Sequence, residues 1–325
     1  MKTVALIYGG DSSESEISVL SGKNISTHID RKRYNVYEIL LRGGDWNVQL
    51  EDGRSFAIDK SDFSFLLPVE DSRAQNRINF DIALIMIHGT PGENGMLQAY
   101  LEMVGMPHTT SPSIVSAITF NKYATKCFLR DLNIPLAKDI FIRQGEKWNA
   151  AEIVSKLGLP LFVKPNEGGS SFGITKVKKI DELDRAINHA LEEDSSVLLE
   201  EFIEGREMTN GVFEINGEFS RLPVTEIISK NEFFDYEAKY LGACNEVCPA
   251  EISNSLSERI IEQGHRIYHH LGCKGVVRMD YIVREDEIFF LEINTVPGMT
   301  EMSLVPQEIK AAGMTLGNFI SKLLG

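Results

Sequence analysis

The chain has 325 residues, of which 43% are hydrophobic and 25% are charged, and this composition is typical of a soluble protein with two or three domains. Its formal net charge of -14 at pH 7 argues against a nucleic-acid partner, because no basic excess exists to neutralise phosphates. No apolar run approaches the roughly eighteen residues that span a membrane, and the run at residues 4–8 is too short for a signal-peptide core. The 4 cysteines predict reduced thiols in a cytoplasmic protein.

The first part of the chain alternates strand and helix patterns, which predicts an α/β domain built on an open parallel sheet. Ligands in such folds bind beyond the carboxyl ends of the strands. The predicted strands cover residues 3–8, 34–41 and 80–88, and the predicted helices cover residues 13–29 and 94–105.

The glycine turn after the first strand, GGDSSESE at residues 9–16, contains two carboxylates with different expected roles. Ser13 and Glu16 fit the spacing of a capping box, which gives Glu16 a structural role. Glu14 is not explained by the box, and it either complements the helix dipole or holds a substrate ammonium group. The turn lacks the G-x-G-x-x-G spacing, so a dinucleotide site is not expected here.

A second loop, HGTPGENG at residues 88–95, follows the third predicted strand. His88 at its start is either a hydrogen-bonded core histidine or a polar group that faces the substrate. Both loops leave the same end of the predicted sheet, which is where we expect a ligand.

Two lysines occur in places that suit a phosphate ligand. Asn121 is a predicted helix cap, and Lys122 lies in the first turn, where a cation is unfavourable for the helix dipole but well placed for phosphate. Lys164 leads into a predicted hairpin at residues 161–177 with a glycine-rich turn. The turn is not a Walker A sequence, yet a lysine and exposed backbone amides are suited to a triphosphate.

An acidic strand, VLLEEFIEG at residues 197–205, follows that hairpin. Glu200, Glu201 and the nearby Glu207 either lie beside an adenine edge and ribose hydroxyls or belong to a solvated acidic turn. Asn216 and the glycine after it predict a hairpin turn.

The segment at residues 229–249 has aromatic and charged residues but no steady period. Irregular segments of this length inside compact domains are typical of lids. Lys239 and Tyr240 lie in its middle.

Residues 278–295, RMDYIVREDEIFFLEINT, predict an antiparallel hairpin from their period-two alternation. A turn at residues 285–287 would place Arg284 opposite Ile288. Continued along the ladder, this register puts Phe290 on the polar face. The apolar face carries Met279, Tyr281, Val283, Phe289, Leu291 and Ile293.

The same register places Asp280 opposite Glu292, and Arg278 opposite Asn294. Two carboxylates about 5 Å apart repel by roughly 3 kcal/mol at an effective dielectric constant of about 20. Either solvent screens this face, or a divalent cation binds there. The oxygens of two carboxylates and the Asn294 amide suit magnesium and are poor ligands for zinc.

Taken together, these motifs resemble the ATP-grasp superfamily, and within it the D-alanine-D-alanine ligase family, over essentially the whole chain. The motifs are GGDSSESEIS, HGTPGENG, Lys122, KPNEGGSSFG, VLLEEF, YEAKY, GVVRMDY, LEINTVPGMT and MSLVP. The resemblance implies an α/β ATP-grasp fold with three domains, at residues 1–118, 119–203 and 204–325, with ATP held between the last two. It also implies a cytoplasmic enzyme, expected to be a homodimer, that joins two D-alanine molecules through D-alanyl phosphate.

The resemblance further implies roles for three groups of residues. The magnesium ligands, for two ions that Mn²⁺ could replace, would be Asp280, Glu292 and Asn294. The ATP-binding residues would be Lys122, Lys164, Ser171, Glu200, Glu201, Phe202, Ile203, Glu207 and Lys239. The D-alanine-binding and catalytic residues would be Glu14, His88, Ser170, Tyr240, Arg278, Gly298, Ser303 and Leu304.

Two alternatives stay open from the sequence. The chain could be an ATP-grasp ligase with other substrates, against which Glu14 and the motif MSLVP argue. It could also be a silent nucleotide-binding module, which would be expected to lack one of the lysine, arginine or metal-binding positions. Ser15 and the Thr90-Pro91 pair depart from the common family pattern and bear on selectivity for the first D-alanine.

Overall fold

The structure is a computed structural model that describes residues 1–69, 74–169, 172–229 and 244–325. It is a mixed α/β fold in which three larger sheets follow one another along the chain. A small antiparallel pair, β5 (Phe65–Pro68) and β6 (Gln75–Ile78), accompanies the first sheet. No helix within the described ranges is long and apolar enough to cross a membrane.

The N-terminal sheet has five strands in the order β4-β3-β2-β1-β7. β1 pairs in parallel with β2 and with β7, as predicted, but β3 and β4 are antiparallel. The parallel pairing of the three predicted strands is confirmed, but the sheet is mixed. The unpredicted β3 is antiparallel because Gly43 and Gly44 form a tight turn that returns the chain alongside β2. The strands are β1 (Lys2–Gly9), β2 (Tyr34–Arg42), β3 (Asp45–Gln49), β4 (Ser55–Ala57) and β7 (Ile82–Ile85).

Helix α1 (Ser15–His28) connects β1 to β2 and begins without the predicted capping box. Glu14 is the N-cap residue, and its side chain makes no capping hydrogen bond. Instead, the Ser12 hydroxyl accepts from the Glu14 amide at 3.2 Å and donates to the His88 carbonyl at 2.8 Å. The turn is thus held by the neighbouring loop rather than by Glu16, and Glu14 lines the cavity between the sheets.

Three short helices lead out of the first sheet: α2 (Met96–Met103), α3 (Ser113–Phe120) and α4 (Lys122–Leu129). Asn121 caps α4, accepting a hydrogen bond from the Ala124 amide at 2.9 Å, as predicted from the sequence.

The central sheet is antiparallel, with strand order β10-β9-β11-β8. The predicted hairpin is confirmed as β9 paired with β10. The helices of this region share its core through buried residues that include Leu157, Val163 and Ile187. The elements are β8 (Asp139–Arg143), α5 (Ala150–Leu157), β9 (Leu161–Pro165), β10 (Thr175–Val177), α6 (Leu183–Glu193) and β11 (Ser196–Glu201).

The C-terminal sheet has the order β15-β14-β12-β16-β17, and β13 pairs with β12 through the predicted turn at Asn216. Helix α7 (Asn254–Leu271) packs against this sheet. The strands are β12 (Arg206–Ile215), β13 (Glu218–Phe219), β14 (Thr225–Ser229), β15 (Cys244–Val247), β16 (Val276–Arg284) and β17 (Glu287–Asn294).

The hairpin of β16 and β17 confirms part of the predicted register. Asp280 lies opposite Glu292, and the pair two residues away, Arg278 and Asn294, is also as predicted. From the next residue onward the pairing shifts by one, so that Arg284 faces Glu287 rather than Ile288.

Two local features cause this shift. The turn has only two residues, and its first residue, Glu285, has a φ of 56°. A β-bulge at Leu291 then restores the register of the acidic pair. The bulge turns Phe290 into the core against Tyr281, with ring centroids 6.3 Å apart, so the prediction of Phe290 on the polar face was wrong.

The last two helices, α8 (Leu304–Ala311) and α9 (Leu316–Leu324), share a hydrophobic core with the first strand of the chain. Their buried residues Val305 and Phe319 belong to the same core cluster as Val4 and Leu6 of β1. The C-terminal sheet contributes Phe213 to that cluster. The N-terminal and C-terminal sheets are therefore held against each other by apolar packing.

Candidate active site

One cavity of about 810 Å³ is lined by strands of the central and C-terminal sheets, and by α1 and the loop after β7 next to the N-terminal sheet. Every predicted site residue that the structure describes lines this cavity. Ser170, Ser171, Lys239 and Tyr240 lie outside the described residues, as does most of the predicted lid, so their predicted roles stay predictions. The lining residues that were predicted are Glu14, His88, Lys122, Lys164, Glu200, Glu201, Phe202, Ile203, Glu207, Arg278, Asp280, Glu292, Asn294, Gly298, Ser303 and Leu304.

Glu200 is buried between two lysines at the cavity wall. Its carboxylate forms ion pairs with Lys164 of β9 and with Lys126 of α4. Burial alone would raise the pKa of Glu200, but the two ammonium groups lower it to about 2. Lys126 also donates to the Ala137 carbonyl at 2.8 Å. Lys164 is thereby held in one position with its charge largely shielded from solvent.

The end of β11 forms the wall predicted to receive adenine. The Glu201 amide donates to the Lys138 carbonyl at 3.0 Å, and the Glu201 carboxylate accepts from the Lys138 amide at 2.8 Å. The Lys176 ammonium lies 3.8 Å from the centroid of the Phe202 ring. The backbone that leads to Ile203 is therefore fixed from both sides.

The glycine-rich turn after β9 reaches across the cavity to Glu14. The Lys122 ammonium donates to the Gly168 carbonyl at 2.8 Å. A Cβ atom on Gly169 would lie only 2.6 Å from the Glu14 carboxylate, so only glycine allows this approach without a shift of that carboxylate. The candidate ammonium ligand and the candidate phosphate loop are thus in direct proximity.

The face shared by β16 and β17 carries the candidate metal ligands. Asp280 accepts from Arg278 Nε and Nη2, each at 2.9 Å, and from the Thr209 hydroxyl at 2.6 Å. The Asn294 amide nitrogen lies 3.3 Å from Asp280. This arrangement partly compensates the charge of Asp280 and reduces its repulsion with Glu292.

The donor set on this face still fits a hard divalent cation. Asp280, Glu292 and the amide of Asn294 supply oxygen donors on adjacent strands that open into the cavity. No group of three or more histidine, cysteine, aspartate or glutamate side chains that could hold a metal occurs in the described part of the chain. A site here would therefore need ligands from a substrate, as is usual for magnesium with phosphates.

His88 joins α1 to the loop that follows β17. One ring nitrogen, Nδ1, lies 2.7 Å from the Val296 carbonyl, and Nε2 lies 2.9 Å from the Ser21 hydroxyl. The Ser21 hydroxyl also accepts from the Met299 amide at 3.1 Å. Burial lowers the pKa of His88, which favours a neutral ring that donates to Val296 and accepts from Ser21.

Glu93 supports the same loop and was not singled out from the sequence. Its carboxylate accepts from the Gly89 amide at 2.8 Å and from the Val296 amide at 3.1 Å. Burial raises the pKa of Glu93 to about 7, and the nearby Glu14 carboxylate adds to the rise. Both His88 and Glu93 therefore hold the segment that presents Gly298.

The first turn of α8 borders the cavity at Ser303 and Leu304. Ser303 is the N-cap residue, yet its hydroxyl makes no capping bond and instead accepts from the Thr300 amide at 3.0 Å. Gly298 lies so close that a Cβ atom there would be 2.8 Å from the Ser303 hydroxyl. The helix N-terminus is thus directed at the cavity and suits a carboxylate ligand.

Two supporting residues were missed for different reasons. Lys126 follows Lys122 by one helical turn, and that spacing was the only signal in the sequence. Glu93 is the carboxylate of the loop HGTPGENG, in which only His88 was a predicted site residue. Their contacts with Glu200 and Val296, respectively, were not predictable, because these partners lie far away in the chain.

Two protein-family models together match most of the chain. Residues 3–111 match the family model described as D-ala D-ala ligase N-terminus, and residues 128–325 match the model described as D-ala D-ala ligase C-terminus. The chain belongs to the D-alanine-D-alanine ligase family. The D-alanine-D-alanine ligase of Parabacteroides distasonis is 44% identical, with 99% of this chain and 96% of that protein covered.

Solved structures of the D-alanine-D-alanine ligase family and its relatives share the fold. The VanG D-Ala:D-Ser ligase of Enterococcus faecalis has a TM-score of 0.88 at 31% identity, covering 100% of this chain and 98% of that chain. The Bacillus anthracis D-alanine-D-alanine ligase complexed with ATP has a TM-score of 0.79 at 29% identity, covering 100% of this chain and 96% of that chain.

Proposed function

We propose that this chain is an ATP-dependent carboxylate-amine ligase that joins two D-alanine molecules to D-alanyl-D-alanine for peptidoglycan precursor synthesis. The observation that supports this proposal is that one cavity is lined both by the candidate nucleotide residues and by the candidate amino-acid residues. Membership of the D-alanine-D-alanine ligase family gives the substrate class.

ATP would be bound mainly by charge and by the hinge at the end of β11. Lys122 and Lys164 would contact phosphates, Glu201 to Ile203 would border adenine, and Glu207 would accept from ribose hydroxyls. Magnesium ions held by Asp280, Glu292 and Asn294 would offset the negative charge of the phosphates. Glu200 would contact polar groups of the nucleotide, and its ion pairs with Lys164 and Lys126 would keep Lys164 directed towards the phosphates.

The first D-alanine would be oriented by Glu14, whose carboxylate pairs with the substrate ammonium group. The substrate carboxylate then attacks the γ-phosphate, which forms D-alanyl phosphate and releases ADP. Positive charge from the lysines stabilises the transition state, and exclusion of water from the cavity protects the acyl phosphate from hydrolysis.

The second D-alanine would bind through its carboxylate at the Ser303 hydroxyl and the Leu304 amide. Its amine attacks the acyl carbon, and phosphate leaves as the peptide bond forms. Arg278 and the Gly298 amide would donate to the oxyanion of the tetrahedral intermediate. His88 and Glu93 would act on this step through the loop that carries Gly298.

Three further parts of the proposal concern the whole protein. The chain would divide into three domains near residues 118 and 203, with the nucleotide between the central and C-terminal domains. It would form a homodimer and work in the cytoplasm, where ATP is available.

The first experiment is to measure phosphate release from MgATP with D-alanine, D-serine, D-lactate or L-alanine, together with product mass. D-Serine is included because of the similarity to the VanG D-Ala:D-Ser ligase. We expect release with D-alanine and the mass of D-alanyl-D-alanine. Glu292→Gln should lower kcat at least about 100-fold, whereas Glu287→Gln, on the exposed end of the same strand, should change it less than about twofold.

Two results would contradict the proposal. Turnover that requires a D-amino acid other than D-alanine would retain the ligase chemistry but overturn the substrate. ATP binding without turnover in any of these mixtures would overturn the ligase activity itself.

A further inference from the structure

Glu308 on α8 is a fully buried carboxyl group that takes no part in the proposed reaction steps. It follows Leu304 by four residues, so both side chains lie on the same face of the helix. Burying a carboxyl group is costly unless its oxygens are hydrogen-bonded, which makes its partners informative.

Both oxygens of Glu308 have a partner on the C-terminal sheet. One accepts from the Gly211 amide of β12 at 2.6 Å, and the other is 3.0 Å from the Thr225 hydroxyl of β14. β14 pairs with β12 only as far as Thr209 opposite Thr225. Glu308 therefore accepts a hydrogen bond from the Gly211 amide, which lies two residues beyond the last β12–β14 pair.

Both partners of Glu308 are connected to the strand that carries Arg278 and Asp280. Gly211 pairs directly with Arg278, whereas Thr225 pairs with Thr209, which in turn pairs with Asp280. The Thr209 hydroxyl also donates to Asp280 at 2.6 Å. One carboxyl group thus links the helix of Ser303 and Leu304 to the strands that carry the oxyanion and metal residues.

We propose that Glu308 is a positioning residue that sets the distance between the N-terminus of α8 and the β16 row of Arg278 and Asp280. This inference rests on the proposed function. There, the N-terminus of α8 binds the second D-alanine, which reacts beside Arg278 and Asp280. A shift of about 1 Å between two such groups can cost roughly 100-fold in rate. Two directional hydrogen bonds restrict such a shift better than apolar contact does.

A matched pair of substitutions separates positioning from simple packing. Glu308→Gln keeps the shape and can accept from Gly211 while it donates to Thr225. Glu308→Met keeps a similar volume but removes both bonds and leaves the Gly211 amide without this partner. Thr225→Val removes only the bond between Thr225 and Glu308, and it replaces Glu308→Met in the test if the methionine variant does not fold.

The control is Glu226→Gln, next to Thr225 on β14. Glu226 is also largely buried and accepts from Arg206 at 2.7 and 2.6 Å, but this partner belongs to β12 rather than to α8. The substitution should lower stability without a selective kinetic effect.

The experiment measures initial rates over D-alanine and MgATP concentrations, with separate constants fitted for the two D-alanine positions, and the melting temperature of each variant. We expect Glu308→Met to raise the second D-alanine constant and lower kcat, each about tenfold, with the MgATP constant changed less than about twofold. Thr225→Val should show a smaller effect in the same direction. Glu308→Gln should keep kcat, both D-alanine constants and the MgATP constant within about twofold of the values of the unmodified protein.

The outcomes distinguish this inference from the proposed function. If the unmodified protein makes D-alanyl-D-alanine but the methionine and valine variants lose only melting temperature, Glu308 has a structural role and the inference is overturned. A glutamine variant as impaired as the methionine variant would also overturn it. If the unmodified protein makes no dipeptide, the proposed function fails, and the inference fails with it.

Discussion

Asp280 lies opposite another carboxylate, and its immediate neighbours explain why the fold accepts this. Arg278 contacts it through two nitrogens, and the Thr209 hydroxyl completes the set. Charge-assisted, forked hydrogen bonds of this kind are roughly twice as strong as neutral ones. These bonds fix the orientation of Asp280 on the face it shares with Glu292, where both carboxylates could bind a cation.

A single carboxyl group, Glu308, should give the protein's stability a measurable pH dependence. Burial raises the pKa of Glu308 from 4.5 to about 8, although hydrogen bonds from Gly211 and Thr225 and the charge of Arg278 oppose the rise, while Asp280 adds to it. Between these values the unfolded chain loses this proton and the native chain keeps it. The free energy of unfolding should then fall as pH rises, by up to about 1.4 kcal/mol per pH unit.

Glu308→Gln removes this dependence because its amide does not titrate. We expect the variant, compared with the unmodified protein, to gain relative stability steadily from pH 5 to pH 8 in metal-free urea unfolding. Glu226→Gln is the control, because it makes the same chemical change at a neighbouring buried glutamate that is paired with Arg206. A difference between Glu308→Gln and the unmodified protein that stays constant over this range would contradict the assignment.

Among the secondary-structure elements, the hairpin of β16 and β17 shows which features local sequence determines. The predicted turn was one residue too long, and the bulge at Leu291 offsets that error, so Asp280 does lie opposite Glu292 as predicted. The bulge at Leu291 was not predictable, since it depends on Phe290 packing against Tyr281 in the core. The capping box failed for a similar reason, because the Ser12 hydroxyl bonds to a loop far along the chain.

The candidate site follows the same division between local and distant information. Motif residues such as Lys164, Asp280 and Ser303 could be named because their residue types and spacing are characteristic of the family. Lys126 and Glu93 support those residues through contacts across long stretches of chain, so their roles depend on tertiary structure. The candidate site residues could thus be named from the sequence, whereas the residues that hold them in position could not.

The contact between α1 and the loop after β17 leads to a prediction about Ser21. Its hydroxyl bonds to His88 and accepts from the Met299 amide, so Ser21→Ala removes both links to the segment that presents Gly298. We expect kcat to fall about tenfold, with the MgATP constant changed less than about twofold. Steady-state kinetics measure both quantities.

Ser26→Ala on the same helix is the matched control. The Ser26 hydroxyl donates to Glu38 of β2 at 2.5 Å, away from the cavity. This variant should lose stability without a change in kcat. Equal losses of kcat in the two variants would show that α1 acts through general stability and would overturn the prediction for Ser21.

For the molecule as a whole, the cavity forms only when three distant parts of the chain pack together. Glu14 is the N-cap residue of α1, which connects two strands of the N-terminal sheet. Lys164 and Glu200 come from the central sheet, and Asp280 comes from the C-terminal sheet. The close approach of Gly169 to Glu14 joins the amino-acid side of the cavity to the nucleotide side. A ligand on either side should therefore favour the arrangement that the other side needs, which is the condition for positive coupling.

This coupling can be measured by thermal unfolding with a non-hydrolysable ATP analogue and magnesium, with D-alanine, and with both. A ligand at 100 times its dissociation constant stabilises by about 2.7 kcal/mol, so each should raise the melting temperature. Positive coupling predicts that both ligands together raise the melting temperature by more than the sum of the two separate shifts.

Lys164→Met should reduce the shift caused by the analogue, whereas Lys178→Met, on the exposed surface after β10, should retain it. Strictly additive shifts in the unmodified protein would mean that the two sides bind independently, and the contact between Gly169 and Glu14 would then have no energetic role in binding.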